Sequence, residues 1–294
     1  MKQDWTAVAL AISRSTGTTF RPADATPIGG GCINSAFRLS DGDRSYFVKT
    51  STPSSIGMFE AEHEGLRALA LPGAPRVPAP VTAGTTDRVA FLAIEYVPLA
   101  RLSGPAWTRL GEQLAALHRD TAGMFGWHRD NTIGSTPQVN DWTPRWVEFW
   151  REHRLGYQLT LAEHNGLHPS VAARGRNLMS CLDRLFEDHD PLPSLLHGDL
   201  WSGNVAADAC GNPVLFDPAT YYGDREADIA MSELFGRFDQ RFYDAYQEAW
   251  PRDPGYDRRR TLYNLYHVLN HFNLFGGGYA GQVAGMIEDL LADV

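Results

Sequence analysis

Apolar side chains at Trp5, Val8, Ala9 and Ile12 recur at the spacing of one helical face, so residues 3–15 are expected to form a short amphipathic helix. From Ile28 to Val48 the period changes. A glycine turn precedes the strand-like runs Ala36-Phe37-Arg38-Leu39 and Tyr46-Phe47-Val48-Lys49, with the hairpin signal Asp41-Gly42-Asp43 between them. Phe59 to Leu71 returns to a helical period, with Glu60, Glu62 and Glu64 toward its start. The proline-rich stretch from Pro72 to Pro80 ends that helix, and two more strand candidates follow, the second running from Phe91 to Val97 and stopped by Pro98. Beyond it the pattern is mostly helical, over Trp107 to His118, Trp142 to Leu161, Val171 to Phe186 and Tyr263 to Phe275. Strands gathered early and helices late predict an α+β fold, with a small β-rich half over residues 1–97 and a larger, mainly helical half over 98–294.

Composition narrows the function classes. At 294 residues, 43% of them hydrophobic, the chain can bury a large core. A formal charge of −9 argues against a broad basic face for nucleic acid or anionic lipid, and leaves any phosphate to a few placed cations and backbone N–H groups. The start resembles no secretory signal, and no run approaches the roughly 18 apolar residues of a membrane span. A cytoplasmic protein, a monomer or weak dimer, is expected. The three cysteines, Cys32, Cys181 and Cys210, are too few and scattered for a disulfide framework or a four-thiolate zinc site.

Three polar residues carry the strongest chemical signal: Asp199, Asn204 five positions later, and Asp217. A phosphoryl-transfer site needs a carboxylate to take the proton of an attacking hydroxyl, an amide to ligate metal, and a second carboxylate to hold Mg²⁺ on the nucleotide phosphates. Any one of these residues alone reads as an ordinary turn or strand end. Together they do not, because the apolar runs Leu195-Leu196 and Val214-Leu215-Phe216 would deliver both acids from the core to one cleft. The string His197 to Asn204 fits the protein-kinase pattern H-R-D-L-x-x-x-N except that Gly198 replaces the arginine. With Asp217-Pro218-Ala219 in place of D-F-G and no A-P-E motif, a small-molecule kinase is favoured over a protein kinase.

Upstream, Gly29-Gly30-Gly31-Cys32 followed by the strand residue Lys49 suits a backbone that approaches phosphates and an ammonium that pairs with them. The glycines alone are weak evidence, since Asn34 occupies the last glycine position of G-x-G-x-x-G and no G-K-[ST] follows. One of Glu60, Glu62 and Glu64 should pair with Lys49. Glu62, four before Leu66 and seven before Leu69, shares the inward face and is favoured, which leaves the other two as solvated acids. Glu95-Tyr96-Val97 is where a hinge would offer backbone groups to adenine. His267 and His271 lie four apart on a helix, but no zincin glutamate or third ligand accompanies them, so packing or a substrate-facing role is the better reading. Asp228 is suited to bracing the catalytic loop through backbone hydrogen bonds.

These residues resemble the fructosamine-3-kinase or ketosamine kinase family, related to the aminoglycoside and choline kinases. The resemblance spans nearly the whole chain and rests on Gly30-Gly31-Cys32-Ile33, Phe47-Val48-Lys49, Met58-Phe59-Glu60-Ala61-Glu62, Pro137-Gln138-Val139-Asn140-Asp141-Trp142, Leu196 to Ala206, Phe216-Asp217-Pro218-Ala219 and Leu269-Asn270-His271-Phe272-Asn273. It implies a protein-kinase-like two-lobed fold, ATP and Mg²⁺, and phosphorylation of the O3 hydroxyl of a ketosamine (fructosamine, ribulosamine or erythrulosamine) on a small amine or a protein lysine. The labile product would then free the amine. Carried over, Asp199 is the base, Asn204 and Asp217 the metal ligands, and Lys49 and Glu62 the phosphate-positioning pair. Trp201 could stack on the sugar, His271 and Asn273 would neighbour the sugar cleft, and Cys32 could be redox-sensitive. The short segment from His118 to Trp142 departs from the family pattern and leaves the sugar open. The rivals are an aminoglycoside, choline or homoserine kinase and an inactive nucleotide-binding scaffold.

Overall fold

The computed structural model describes residues 4–29 and 34–293. Helix α1 (Thr6–Thr16) buries Val8, Ala9 and Ile12 and stops at Gly17, whose φ of 69° suits a left-handed helix terminus. Five strands follow with one helix among them: β1 (Asp24–Ile28), β2 (Ser35–Ser40), β3 (Ser45–Ser51), α2 (Ile56–Leu69), β4 (Pro80–Thr85) and β5 (Ala90–Glu95). They pair antiparallel throughout in the order β1-β2-β3-β5-β4. The β2–β3 turn is fixed by Asp41, whose Oδ1 accepts the N–H groups of Asp43 at 3.2 Å and Arg44 at 2.8 Å.

The central strand β5 reads as an unbroken apolar run because both of its faces are covered. Phe91 and Ala93 join Val48, Leu39 and Phe20 under α1, while Leu92 and Ile94 join the main core with Phe59, Leu66 and Leu69 of α2. Lys49, next to Val48, therefore faces the α2 side opposite Leu92. Helix α2 begins three residues before the expected start, so no acid lies in its first turn.

The rest is mainly helical: α3 (Ala106–His118), α4 (Trp146–Phe149), α5 (Tyr157–His164), α6 (Pro169–Cys181), α7 (Glu226–Leu234), α8 (Gln240–Ala249), α9 (Tyr256–Phe275) and α10 (Ala280–Ala292). A π-helical segment, Trp150–Gly156, joins α4 to α5. The helix expected from Trp142 starts only at Trp146, because Pro144 biases the preceding backbone to an extended form. Helix α9 begins seven residues earlier than expected. In its first turns Arg259 is buried against Glu226 at 2.8 Å. Three short antiparallel pairs interrupt the helices: β6 (Asn131–Ile133) with β7 (Thr136–Gln138), β8 (Ser194–Leu196) with β11 (Tyr221–Gly223), and β9 (Val205–Ala207) with β10 (Pro213–Leu215). Among the described residues no helix is long and apolar enough to cross a membrane.

Candidate active site

Strand β8 delivers the loop His197 to Asn204 out of the core, and two features fix its backbone. Asp228, buried on α7, accepts the His197 N–H at 2.7 Å and the Gly198 N–H at 2.8 Å. Gly198 has φ +83°, and a Cβ there would meet the Ala219 carbonyl oxygen at 2.1 Å, so a side chain is sterically excluded. The His197 ring donates through Nε2 to the Phe216 carbonyl at 3.1 Å, tying the loop to the end of β10. Burial works against the charge of Asp228, but hydrogen bonds from His118 and the loop amides hold its pKa below the usual carboxylate value.

Asp199 emerges from this loop into the cleft. Asn204 donates through Nδ2 to the Asp199 carbonyl at 2.9 Å and to Asp199 Oδ2 at 3.0 Å, which orients the carboxylate and leaves Oδ1 free among the described residues. Loss of water around the group pushes its pKa up to about 7, against the Asn204 hydrogen bond and with the help of the nearby charges of Asp217 and Asp228. A carboxyl poised near neutrality is suited to taking a proton from a hydroxyl and giving it up again.

Strand β10 and Phe216 present Asp217, the one non-glycine among the described residues with positive φ, at 57°. Such strain persists only when neighbours over-determine it. One of them is Lys49, whose Nζ lies 2.7 Å from Asp217 Oδ1 and 2.6 Å from Glu62 Oε1. Of the three acids on α2, Glu62 is the one brought to Lys49. Burial alone would discharge the ammonium, but the two carboxylates reverse that and hold it charged. Glu62 itself is pushed up by burial, only partly offset by Lys49. The donor set suits a hard cation: among the described residues Asn204 Oδ1 and Asp217 Oδ2 have no hydrogen-bond partner, and both are oxygens.

Lys49, Glu62, Asp199, Asn204 and Asp217 border one cavity of about 820 Å³. Gly29, Glu95, Val97, Trp201 and His271 line it together with them. Gly30, Gly31 and Cys32 fall outside the described residues. The Glu95 side chain is held by Arg76 at 2.6 Å, and the Glu95 N–H is taken by the Ala79 carbonyl at 2.8 Å. The Trp201 ring lies over Gly203, where a Cβ would sit 2.3 Å from it, and meets Phe235 edge-on with centroids 6.4 Å apart.

One sequence expectation needs correction. Asn273 does not border the cavity: it lies on the opposite side of α9 from His271, and its amide donates to Gln158 Oε1 at 2.7 Å and the Gln158 carbonyl at 3.1 Å. Glu60 and Glu64 keep to the solvated surface as expected, where both also pair with Arg129. Sequence reasoning also missed Phe235, Asn131 and Asn270, which line the cavity. Phe235 closes against His271 with ring centroids 4.4 Å apart, and Asn131 sits on the β6–β7 hairpin that the helical reading passed over. His267 and His271 both border the cavity; burial lowers the pKa of His267 to about 3, so its ring is neutral.

The chain is similar over nearly its whole length to proteins already known. A protein of Synechocystis named as a probable ketoamine kinase is 47% identical over 98% of this chain and 97% of its own. A chloroplastic protein-ribulosamine 3-kinase of Arabidopsis thaliana is 44% identical over 90% of this chain and 81% of its own. Among solved structures, a Haemophilus somnus protein described as a candidate fructosamine-3-kinase superposes with a TM-score of 0.90 at 28% identity, over 98% of this chain and 97% of that one. A choline kinase from Streptococcus pneumoniae shares the fold alone, with a TM-score of 0.63 at 13% identity over 98% of this chain and 100% of that one. The family described as fructosamine kinase matches residues 4–293, and the chain belongs to that family.

Proposed function

We propose that this chain transfers the γ-phosphoryl group of ATP to the O3 hydroxyl of a ketoamine, with Asp199 as the base. The observation that carries the reading is the run of contacts from Glu62 through Lys49 and Asp217, and from Asn204 to Asp199, along one cavity in a member of the fructosamine kinase family. Asp199 takes the hydroxyl proton as O3 forms its bond to the γ-phosphorus and the bond to ADP breaks. Lys49, aligned by Glu62, meets the phosphates, and the backbone around Val97 meets the adenine. Magnesium held by Asn204 and Asp217 would supply positive charge at the phosphate oxygens. The protein's own contribution is positioning and electrostatic preorganisation. On this reading residues 1–97 form the nucleotide-binding lobe and 98–294 the lobe that carries the base and the acceptor site.

Kinship with ribulosamine 3-kinases supports a ribulosamine as the preferred acceptor, on a small amine or a protein lysine, with deglycation following elimination of the 3-phosphate. We read the enzyme as cytoplasmic, a monomer or weak dimer, with no nucleic-acid or membrane partner. The test is ADP release over a panel of ribulosamines, erythrulosamines, fructosamines, aminoglycosides and choline, with phosphorus NMR of the product. Turnover confined to ketoamines with phosphate on O3 is expected; turnover of choline or an aminoglycoside without any ketoamine turnover would overturn the reading.

A further inference from the structure

The outer face of α2 is fastened by a residue with no part in the catalytic motifs. Arg129 donates through Nη1 to Glu64 Oε1 at 2.8 Å, and through Nη2 to Glu60 Oε2 and to the Gly57 carbonyl, both at 3.3 Å. His128 adds a contact from Nε2 to Glu64 Oε2 at 2.8 Å. Gly57, Glu60 and Glu64 form one stripe along the helix, while Glu62 projects from a different face toward Lys49.

The segment that carries Arg129 is itself rigidly held. The Asn140 N–H bonds Asp130 Oδ1 at 2.9 Å, and the Asn140 side chain donates to the Arg129 carbonyl at 3.2 Å and to Asn131 Oδ1 at 3.0 Å. Asn131, which lines the cavity, donates to the Thr220 carbonyl at 2.8 Å. Thr220 lies three residues after Asp217 and also touches α2, where a Cβ on Gly65 would fall 2.9 Å from its Oγ1. The contacts therefore close a ring, from Asp217 through Thr220, Asn131 and Arg129 to α2, and back through Glu62 and Lys49 to Asp217.

We propose that Arg129 is a positioning residue for the nucleotide: it clamps α2 to the segment bearing Asp217, so that Glu62 holds Lys49 at the phosphate end of the cleft. The clamp rests on the kinase reading only through Lys49, and it acts without touching either substrate. Helix α2 is thereby registered against the same backbone that carries the candidate metal ligand.

The experiment measures binding of a fluorescent ATP analogue with Mg²⁺ and no acceptor, alongside steady-state kinetics. Arg129→Ala should weaken nucleotide binding and raise the KM for ATP about tenfold, in the range of coupling through a positioned element. The acceptor KM and the unfolding midpoint should stay near wild type. Arg129→Lys should fall between, and Arg129→Glu with Glu64→Arg should recover affinity that Arg129→Glu alone loses. Wild-type nucleotide affinity in Arg129→Ala, equal changes in both KM values, or a charge-swapped pair no better than the single reversal would each overturn the clamp. If Arg129→Ala fails to fold, Arg129→Gln and Arg129→Lys carry the same comparison. Absence of ketoamine turnover in the wild type would remove the acceptor assignment, while the binding comparison still decides the clamp.

Discussion

Asp228 Oδ1 accepts the backbone N–H of Gly198 at 2.8 Å, so a buried carboxylate on α7 sets the shape of the loop that presents Asp199. Replacing Asp228 by Ala orphans this N–H and that of His197, and an unsatisfied buried donor costs roughly 1–3 kcal/mol. Denaturant unfolding should show a loss of at least about that size, with kcat falling as the loop relaxes. Asp228→Asn, which keeps one acceptor oxygen, should lose less on both counts. An unchanged midpoint and kcat in Asp228→Ala would show that the loop holds its own shape.

Gly198 tolerates no side chain for a second reason, its approach to the Ala219 carbonyl. Gly198→Ala adds a methyl group in a left-handed backbone against a fixed peptide, and should destabilise by more than the roughly 1–2 kcal/mol that a left-handed backbone costs an L-residue. Circular dichroism melts compared with Gly211→Ala, also at positive φ but with open space around its Cβ, separate the steric part from the backbone part. Equal losses at the two positions would remove the steric claim.

For Asp199, substitution by Asn preserves size and the contact with Asn204 but cannot accept the proton. The kcat should drop by about 10²–10⁴, the usual worth of a general base, while nucleotide affinity changes little. A drop of less than about fivefold would move the base role elsewhere.

Stability should vary with pH through His189, whose ring lies 2.7 Å from Asp224 and 2.8 Å from Asp253, with Glu226 and Arg259 beside it. Burial and Arg259 favour the neutral ring, but Asp224 and Glu226 prevail and raise its pKa above the ordinary value. The sign follows: this stabilisation is complete below the ordinary histidine pKa and is lost as pH rises through the folded value. Asp224, held low chiefly by His189 and Tyr263 against the effect of burial, acts in the other direction. Its share is present above the ordinary carboxylate pKa and lost as pH falls through the folded value. The urea midpoint should therefore favour pH 6 over pH 8 more strongly in wild type than in His189→Gln, since buried neutral rings such as His267 pull the other way in both proteins. A parallel pH dependence in the variant would contradict the assignment.

Spacing alone made much of the cleft readable, because Asp199, Asn204 and Asp217 follow short apolar strands that leave the core at one place. Lys49 was readable for a related reason: on a half-buried strand, a charged residue beside Val48 must face either water or a partner. What stayed hidden was long-range. Nothing near Arg129 or Glu64 in the sequence tells that residues 65 positions apart will meet, and nothing around Asn131 distinguishes a three-residue strand from a loop. Asn273 misled because it is adjacent to cleft residues in sequence but lies around the helix from them. The strand β5, both faces covered, showed where the sheet lies but not that its two sides serve different cores.

That last point bears on how the molecule comes apart. Val8, Ile12, Phe20, Leu39, Val48 and Phe91 form a small apolar cluster separate from the main core, on the opposite side of the sheet from Lys49. Local unfolding free energies differ among such units. Helix α1 can thus peel away as a minor melting unit and expose Phe91 and Ala93 to water, while Leu92 and Ile94 on the reverse of the same strand stay sealed against α2. Amide exchange would then register the first loosening of this protein at its amino-terminal veneer, well before the cleft is breached.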